Sequence, residues 1–490
     1  MNIIDLLDKR GPMLSSSIKV ALISTGMSDD AARQVISRTR KNVKRLGGNL
    51  FPKRTSFIYL EKHINTSIFF ENLVNALKET NSAHYSAIAS LGAWGGKIAL
   101  NKFKVLSGAP MMRKKHKNFS LLVLELINSG LASRYIEDNI EIIELNNKVP
   151  PHLFNLDSIN TLNTLEELIF AAMKNWLKFN SLGSFNLVKR LGEFNSYHWD
   201  ITAPSYLFPL YTKKEQVKNP GFLVVDILPQ FEIQKDQIKY FIKKFEASKK
   251  QYKSGKFLPI LIGNSFLPDA FELGKQTGFL ITTPGNLFGE HVSDLLSDLK
   301  NTLENMSAAA TKKSEEEILK MIRSVAKLEG KSNNIRGHLF ELVSGHIISK
   351  MYSVYIEIGK KIFCSDGDQA EIDVFGLEGK KSIRIYECKG YNPNQTIDLS
   401  YIKNWMKKIA IIRKWLNNNN EFRNRMQYFE FWTTSSFEQD AIEYLNEIKK
   451  DVKKFTIEYK DSNNLIELVK ELKLNSIYEI LRVHYTAEEN

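Results

Sequence analysis

Apolar residues in the first sixty positions follow two spacings, one helical and one typical of paired strands. Residues 14–25 (LSSSIKVALIST) have the helical spacing, GMSDD reads as a turn, and residues 31–46 (AARQVISRTRKNVKRL) have a second helical pattern. Ser28 can cap the second helix at its N-terminus. Residues 48–60 (GNLFPKRTSFIYL) read as a hairpin. We therefore predict two helices joined by a turn and followed by a hairpin.

Basic residues occupy the polar side of the second helix and the tip of the hairpin. They are Arg33, Arg38, Arg40, Lys41, Lys44, Arg45, Lys53 and Arg54. A helix of this kind fits the major groove of DNA, and a basic hairpin tip can reach the neighbouring backbone. We therefore interpret residues 1–62 as a winged helix-turn-helix that binds double-stranded DNA. The alternative is a helical hairpin whose charged face is only solvated.

The pattern changes further along the chain. Residues 63–148 read as a second winged-helix-like unit, with a helical extension of the first unit as the alternative. A pair of prolines opens residues 149–185, which read as a helical connector. In residues 186–300, apolar runs such as GFLVVDIL and FLPILIGNSF alternate with helical patterns. This alternation predicts an α/β domain with a parallel or mixed sheet.

Composition narrows the class of protein. The 490 residues include 68 Lys and Arg against 55 Asp and Glu, a net charge of +13 that favours a polyanionic partner. The two cysteines, Cys364 and Cys388, exclude a disulfide framework and a zinc site built on paired cysteines. The N-terminus lacks the apolar segment of a signal peptide, and no apolar run of about 18 residues could span a bilayer. We expect a cytoplasmic protein without membrane contact.

Candidate chemistry lies after residues 301–330, which read as a polar linker helix. Acidic residues interrupt two apolar segments that look like buried strands, QAEIDVFGL at Asp373 and KSIRIYECKG at Glu387. Side chains alternate along a strand, so Glu387 and Lys389 share one face. If the strand of Asp373 pairs as a hairpin neighbour, its carboxylate meets them. Two adjacent carboxylates repel unless a cation lies between them, and oxygen ligands suit Mg²⁺ or Mn²⁺.

These residues carry a resemblance to a known superfamily. Gly337-x-x-Phe340-Glu341, Ile372-Asp373 and Glu387-Cys388-Lys389 resemble the PD-(D/E)XK nucleases, and their local order is most similar to the Mrr-type branch, over residues 331–460. The resemblance implies a restriction-endonuclease-like αβ sandwich with a mixed sheet in residues 331–470. It further implies that Asp373 and Glu387 bind Mg²⁺ or Mn²⁺, that Lys389 orients the attacking water, and that Glu341 assists as a ligand. The implied activity is metal-dependent DNA cleavage, in restriction or defence against foreign DNA.

The central α/β domain repeats the element order expected of the nuclease domain. Asp226 falls where the Glu-x-Lys strand would lie, but Leu228 takes the place of the lysine. An inactive second copy and an unrelated α/β scaffold both remain open. The whole chain is thus expected to be a multidomain α+β and α/β protein, ending in a tail over residues 471–490.

Two other functions fit the same residues. One is a winged-helix regulator whose nuclease-like domain is inert, and the other is an RNase or a structure-specific repair nuclease. The sequence also leaves open whether the protein acts as a homodimer or with a partner subunit.

Overall fold

A computed structural model of the chain describes residues 2–40, 42–47, 50–52, 55–113, 116–137, 139–154, 159–183, 185–208, 210–214, 217–250, 256–329, 333–391 and 395–485. The chain divides into two compact units, Met1–Ser293 and Asp294–Asn490. Helices and several separate sheets occur in both units, so the protein belongs to the mixed α/β class. None of the helices in the described ranges is both long enough and apolar enough to cross a membrane.

The first unit begins with a small three-stranded sheet and three helices. In chain order these elements are α1 (Ile3–Arg10), β1 (Met13–Leu14), α2 (Ser15–Ile23), α3 (Asp29–Arg38), β2 (Val43–Leu46) and β3 (Phe57–Leu60). The strands are antiparallel and lie in the order β1-β3-β2. The side chain of Ser28 accepts a hydrogen bond from the Ala31 amide and caps α3, as the sequence predicts. A buried cluster that includes Ile18, Ile36 and Ile58 joins the helices to the sheet.

The helix that the sequence extends to residue 46 ends at Arg38, which corrects that prediction. Asn42 adopts a left-handed conformation with φ of 60°, and Val43 then enters β2 with its side chain buried. Pairing with β3 gives residues 43–46 both hydrogen bonds and a buried side chain, and this tertiary pairing outweighs their helical pattern. Lys44 and Arg45 therefore lie on β2 rather than on the helix. The hairpin is correspondingly longer than predicted, with strands at 43–46 and 57–60.

The same arrangement occurs a second time. After α4 (Ser67–Glu79) the elements are α5 (Ala83–Ala93), β4 (Lys97–Ala99), α6 (Leu100–Leu106), α7 (Phe119–Asn128), β5 (Ala132–Glu137) and β6 (Ile140–Leu145). Their antiparallel strands lie in the order β4-β6-β5. Residues 83–145 thus repeat both the element order and the strand order of residues 3–60.

A five-stranded sheet forms the remainder of the first unit. Its elements are α8 (Ile159–Phe179), β7 (Lys189–Phe194), β8 (Tyr197–Ser205), β9 (Thr212–Lys214), β10 (Val217–Asn219), β11 (Gly221–Leu228), α9 (Lys239–Lys249), β12 (Phe257–Gly263), α10 (Pro268–Thr277), β13 (Leu280–Thr282) and α11 (Pro284–Phe288). The order is β13-β12-β11-β8-β7, with β7, β8 and β11 antiparallel and β11, β12 and β13 parallel. The apolar run of β11 is buried, as expected for a strand covered on both faces.

Three helices replace the single linker helix predicted for residues 301–330. They are α12 (Glu290–Glu304), α13 (Met306–Lys312) and α14 (Glu315–Glu329). Ser314 and Glu317 exchange hydrogen bonds, because each side chain accepts from the backbone N–H of the other. This capping box starts α14 as a new helix.

The second unit contains another five-stranded sheet. Its elements are α15 (Asn333–Met351), β14 (Tyr355–Phe363), β15 (Gln369–Glu378), β16 (Ser382–Lys389), β17 (Thr396–Ile397), α16 (Leu399–Asn418), β18 (Met426–Thr433), β19 (Ser436–Phe437), α17 (Gln439–Asp451), β20 (Thr456–Lys460), α18 (Ser462–Glu471) and α19 (Asn475–Ile480). The large sheet has the order β14-β15-β16-β18-β20, antiparallel through β16 and parallel from β16 onward. Apolar residues of α16 and α17 pack on it.

The C-terminal segment predicted as a tail is packed as far as residue 485. Ile477, Ile480 and Tyr485 are buried. The Tyr485 hydroxyl donates to the carbonyl oxygen of Arg336 at 3.0 Å, and its ring lies 5.7 Å from that of Phe340. Residues 471–485 therefore belong to the core of the second unit and support α15.

Truncation of Phe429 tests this core. Phe429 lies on β18, is fully buried and contacts the Phe455 ring. We expect Phe429→Ala to lower the free energy of unfolding of the second unit by about 3–5 kcal/mol, because it leaves a cavity. Differential scanning calorimetry measures the shift. Phe363→Ala is the control, since Phe363 on β14 is 68% exposed. Equal shifts for the two variants would contradict the packing described here.

Candidate active site

The predicted site residues of the second unit meet at the C-terminal end of β16. Glu387 and Lys389 lie on the same face of the strand, with Lys389 Nζ 2.7 Å from Glu387 Oε1. The antiparallel pairing of β15 with β16 brings Asp373 beside them. The distance from Lys389 Nζ to Asp373 Oδ2 is 3.5 Å. Strand alternation and the hairpin register therefore place all three groups together, as the sequence predicts.

The carboxylate of Asp373 is held by the neighbouring strand. The backbone N–H of Cys388 donates to Asp373 Oδ2 at 2.8 Å. Asp373 and Glu387 are each 8% exposed, so both carboxylates are largely shielded from solvent. The Cys388 side chain is itself buried, and burial raises the pKa of its thiol. Cys388 contributes its backbone N–H, rather than its thiol, to the site.

A second lysine, which is not among the predicted site residues, completes the cluster. Lys408 Nζ on α16 lies 2.5 Å from Glu387 Oε2 and 3.3 Å from Asp373 Oδ1. The helical spacing of α16 could have indicated that Lys408 faces the sheet. Lys408 lies three residues after Trp405 and four before Ile412, both of which are buried, so a lysine interrupts the core-facing stripe of the helix.

The two ammonium groups are stabilised in their charged form. Burial opposes the charge on Lys389, but the carboxylates of Asp373 and Glu387 outweigh it and raise the pKa of Lys389 above its ordinary value. The same balance raises the pKa of Lys408. Both lysines are therefore protonated at neutral pH. They can donate hydrogen bonds and neutralise negative charge, but they do not serve as bases in this arrangement.

Glu341 on α15 adds a third carboxylate to the site. Burial raises the pKa of Glu341 well above its ordinary value, and the negative charge of Asp373 raises it further. The cluster thus combines three carboxyl groups with two ammonium groups, and the raised pKa favours the neutral form of Glu341. His338 Nδ1 lies 3.9 Å from Glu341 Oε1, and burial lowers the pKa of His338. The imidazole is therefore neutral at physiological pH and adds no positive charge to the cluster.

Metal ligation is not preformed at this cluster. Within the described ranges, no group of three or more His, Cys, Asp or Glu side chains is gathered closely enough to hold a metal ion. The ammonium groups of Lys389 and Lys408 occupy the space beside Asp373 and Glu387. The donor set nevertheless fits a hard divalent cation, since all its candidate ligands are carboxylate oxygens.

The residues predicted to contact DNA fall into three groups. Arg33, Arg38 and Arg40 are exposed, although Arg33 also pairs with Asp29 at 2.7 Å. Lys44 lies 3.6 Å from Glu61, and the Arg45 guanidinium donates to the carbonyl oxygens of Ile36 and Thr39 at the end of α3. Arg45 therefore caps that helix. Lys41, Lys53 and Arg54 lie outside the described residues.

Comparisons with known proteins add little to this geometry. No protein-family model matches the chain, and none of the curated proteins is similar to it. Among solved structures, the restriction endonuclease FokI bound to DNA is similar over 56% of this chain and 60% of that chain, at 11% identity and a TM-score of 0.16. A TM-score this low does not establish a shared fold.

Close packing of α15 against the end of β16 generates a prediction. A Cβ atom at Gly390 would lie 2.7 Å from the Arg336 carbonyl oxygen and 2.7 Å from Phe340 Cβ. We expect Gly390→Ala to push α15 away from the sheet and to displace Glu341. The melting temperature of the second unit should fall by several degrees, as measured by calorimetry.

Gly367→Ala is a partial control for this substitution. Gly367 lies in the turn before β15, where a Cβ atom would meet nothing within 4 Å, although its φ of 96° adds local backbone strain. A Gly390→Ala protein that is as stable as wild type would contradict the close packing.

Proposed function

We propose that the second unit is a metal-dependent endonuclease that hydrolyses phosphodiester bonds of double-stranded DNA. The observation that carries the proposal is the convergence of Asp373, Glu387 and Lys389 at one strand end, with the cross-strand N–H of Cys388 holding Asp373. An ion pair at an exposed sheet edge would need neither the buried carboxylates nor the third carboxylate of Glu341.

The metal ion would be Mg²⁺ or Mn²⁺, held by Asp373 and Glu387 with Glu341 as an additional ligand. When bound, such an ion supplies a water of lowered pKa and stabilises negative charge on the phosphodiester. Lys389 remains protonated beside the carboxylates. It therefore orients a water molecule and stabilises the scissile phosphate by donating hydrogen bonds, rather than by removing a proton.

Lys408 has a separate role in this proposal. Its ammonium group contacts both carboxylates of the site, where it neutralises them in the absence of another cation. The long, flexible side chain of Lys408 is 22% exposed. With Asp373 and Glu387 engaged as metal ligands, the Lys408 ammonium group would be free to pair with a DNA phosphate.

DNA binding is assigned to the first unit. The order of α1, β1, α2, α3 and the β2–β3 hairpin supports a winged-helix assignment, and residues 83–145 repeat that order. The exposed Arg33, Arg38 and Arg40 would contact phosphates or bases along α3 and just beyond it. The excess of basic residues in the whole chain supports a nucleic-acid partner.

The biological setting follows from the Mrr-type resemblance of residues 331–460. We place the activity in the cytoplasm, in restriction or defence against foreign DNA. This setting rests on family resemblance, whereas the catalytic proposal rests on the site geometry.

A plasmid cleavage assay tests the catalytic proposal. With Mg²⁺ or Mn²⁺ we expect cleavage by the wild-type protein, and a loss on the order of a hundredfold or more in Glu387→Ala and Lys389→Ala proteins. Lys381→Met is the matched control, because Lys381 is exposed at the opposite end of β16. Cleavage that persists in both site variants would refute the assignment. Nicked, branched and RNA substrates in the same assay separate duplex cleavage from repair or RNase activity.

A titration of fluorescent duplex DNA without metal tests the DNA-binding surface. We expect Arg33→Ala/Arg38→Ala protein to bind on the order of tenfold more weakly, with the slope of log affinity against log salt reduced by about 2. Lys9→Ala/Arg10→Ala removes the same charge from the exposed end of α1 and serves as control. Equal losses in both variants would show that net charge, rather than the surface of α3, sets the affinity.

A further inference from the structure

Two segments of the chain share one topology. In residues 159–282 the principal elements run α8, β7, β8, β11, α9, β12, α10, β13, and in residues 333–460 they run α15, β14, β15, β16, α16, β18, α17, β20. The two sheets have equivalent strand orders, and in both the first three strands are antiparallel and the last three parallel. The strands β8 and β11 therefore correspond to β15 and β16, which carry the candidate active site.

The carboxylates of the two segments occupy corresponding places. Asp200 on β8 accepts a hydrogen bond at Oδ2 from the backbone N–H of Ile227, at 2.8 Å. Asp373 on β15 accepts the equivalent bond from Cys388, also at 2.8 Å. Asp226 immediately precedes Ile227, as Glu387 precedes Cys388. The same cross-strand bond thus fixes an aspartate beside a second acidic residue in both sheets.

The helices contribute matching groups as well. Lys244 Nζ on α9 lies 2.5 Å from Asp226 Oδ2, and Lys408 Nζ on α16 lies 2.5 Å from Glu387 Oε2. The helix before each sheet carries a further carboxylate, Glu166 on α8 and Glu341 on α15. Four of the five charged groups of the candidate active site therefore have a counterpart in residues 159–282.

The fifth group comes from elsewhere in the chain. Leu228 lies where Lys389 would be required, but the ammonium group of Lys102 on α6 reaches the same cluster. Lys102 Nζ lies 2.6 Å from Glu166 Oε1 and 2.6 Å from Asp200 Oδ1, and it sits over the ring of Trp94 at 4.7 Å. The count of three carboxylates and two ammonium groups is thereby the same in both clusters.

The two clusters differ in their access to solvent. The side chains of Lys102, Asp200, Asp226 and Lys244 are 9%, 2%, 0% and 0% exposed, whereas those of Lys389 and Lys408 are 25% and 22% exposed. The charged groups of the first-unit cluster are therefore almost completely shielded from solvent, from which a phosphodiester would have to approach. Burial raises the pKa of Glu166 to about 7, which is consistent with a closed site that holds one carboxylate more than it has ammonium groups.

We propose that residues 159–282 are a second, catalytically inactive copy of the C-terminal nuclease-like domain, in which Lys102 supplies the ammonium group that Lys389 supplies in the other copy. The former site is an internal docking site that fixes the segment α5–β6 to the inactive domain through α6. This inference rests on the proposed function in one respect only, since that function defines the site of which this cluster is a copy.

Relocating the ammonium group tests the proposal. The variants are Lys102→Met, Lys102→Met/Leu228→Lys and Lys102→Met/Leu228→Met, each made in the full chain. Thermal unfolding is followed by calorimetry in EDTA, with no DNA present. Lys102→Met leaves buried carboxylates without their partner, so the melting temperature of the first unit should fall by roughly 5 °C or more.

The double variants decide between a copied site and an unrelated ion cluster. If Leu228 corresponds to Lys389, a lysine there reaches Asp200 and Glu166, and Lys102→Met/Leu228→Lys should recover at least half of the lost melting temperature. The volume-matched Leu228→Met control should recover none. A Leu228→Lys double variant that is no more stable than its control overturns the proposal, because an unpaired buried lysine only destabilises.

The experiment remains decisive if Lys102→Met protein does not fold. Folded yield after expression then replaces the melting temperature, and the Leu228→Lys change must restore it, while failure of both proteins overturns the proposal. Neither cleavage nor metal binding enters this measurement. A recovered melting temperature together with a protein that does not cleave DNA would support the duplication and reject the proposed function. DNA cleavage without recovery of the melting temperature would reject the duplication and leave the proposed function standing.

Discussion

The candidate site depends on one hydrogen bond across two strands. The backbone N–H of Cys388 donates to the carboxylate of Asp373, and this bond fixes an acidic group beside Glu387 even though both are nearly buried. Two carboxylates so close together would be expelled or protonated without compensation. Lys389 and Lys408 supply that compensation from the strand and from α16. The register of the hairpin and the packing of α16 bring these compensating charges to the two carboxylates, and the proposed metal chemistry depends on that arrangement.

Repulsion between neighbouring carboxylates is compensated by lysines in both units of this chain, but with different exposure to solvent. In the second unit the compensating lysines remain partly exposed, as the proposed exchange of an ammonium group for a divalent cation requires. In the first unit Lys102 on α6 contacts the carboxylates of Glu166 and Asp200, and all three side chains are buried. Buried ion pairs of this kind contribute little net stability, but removal of one partner is costly. In the functions proposed above, the partly exposed cluster serves catalysis and the buried cluster serves as an internal contact.

Much of the chain could be predicted from its sequence because local rules apply there. Side-chain alternation placed Glu387 and Lys389 on one face, and Ser28 caps α3 because its hydroxyl precedes a helical pattern. The alternating elements of residues 186–300 also correspond to a mixed sheet. The prediction was wrong where tertiary pairing competes with a helical pattern. Residues 43–46 form a strand because β3 offers hydrogen bonds and a buried place for Val43, and neither is visible in the local spacing.

The acidic and basic residues that can carry chemistry are identifiable from the sequence, and residues two positions apart on a strand share one face. The tertiary structure decided which of them meet. Lys408 contacts Glu387 because α16 packs with its buried stripe against the sheet, and the Arg45 guanidinium is engaged at the end of α3 because it donates to the Thr39 carbonyl oxygen. Lys102 reaches Asp200 across 98 residues of chain. Contacts of that kind depend on how elements pack, which no local pattern encodes.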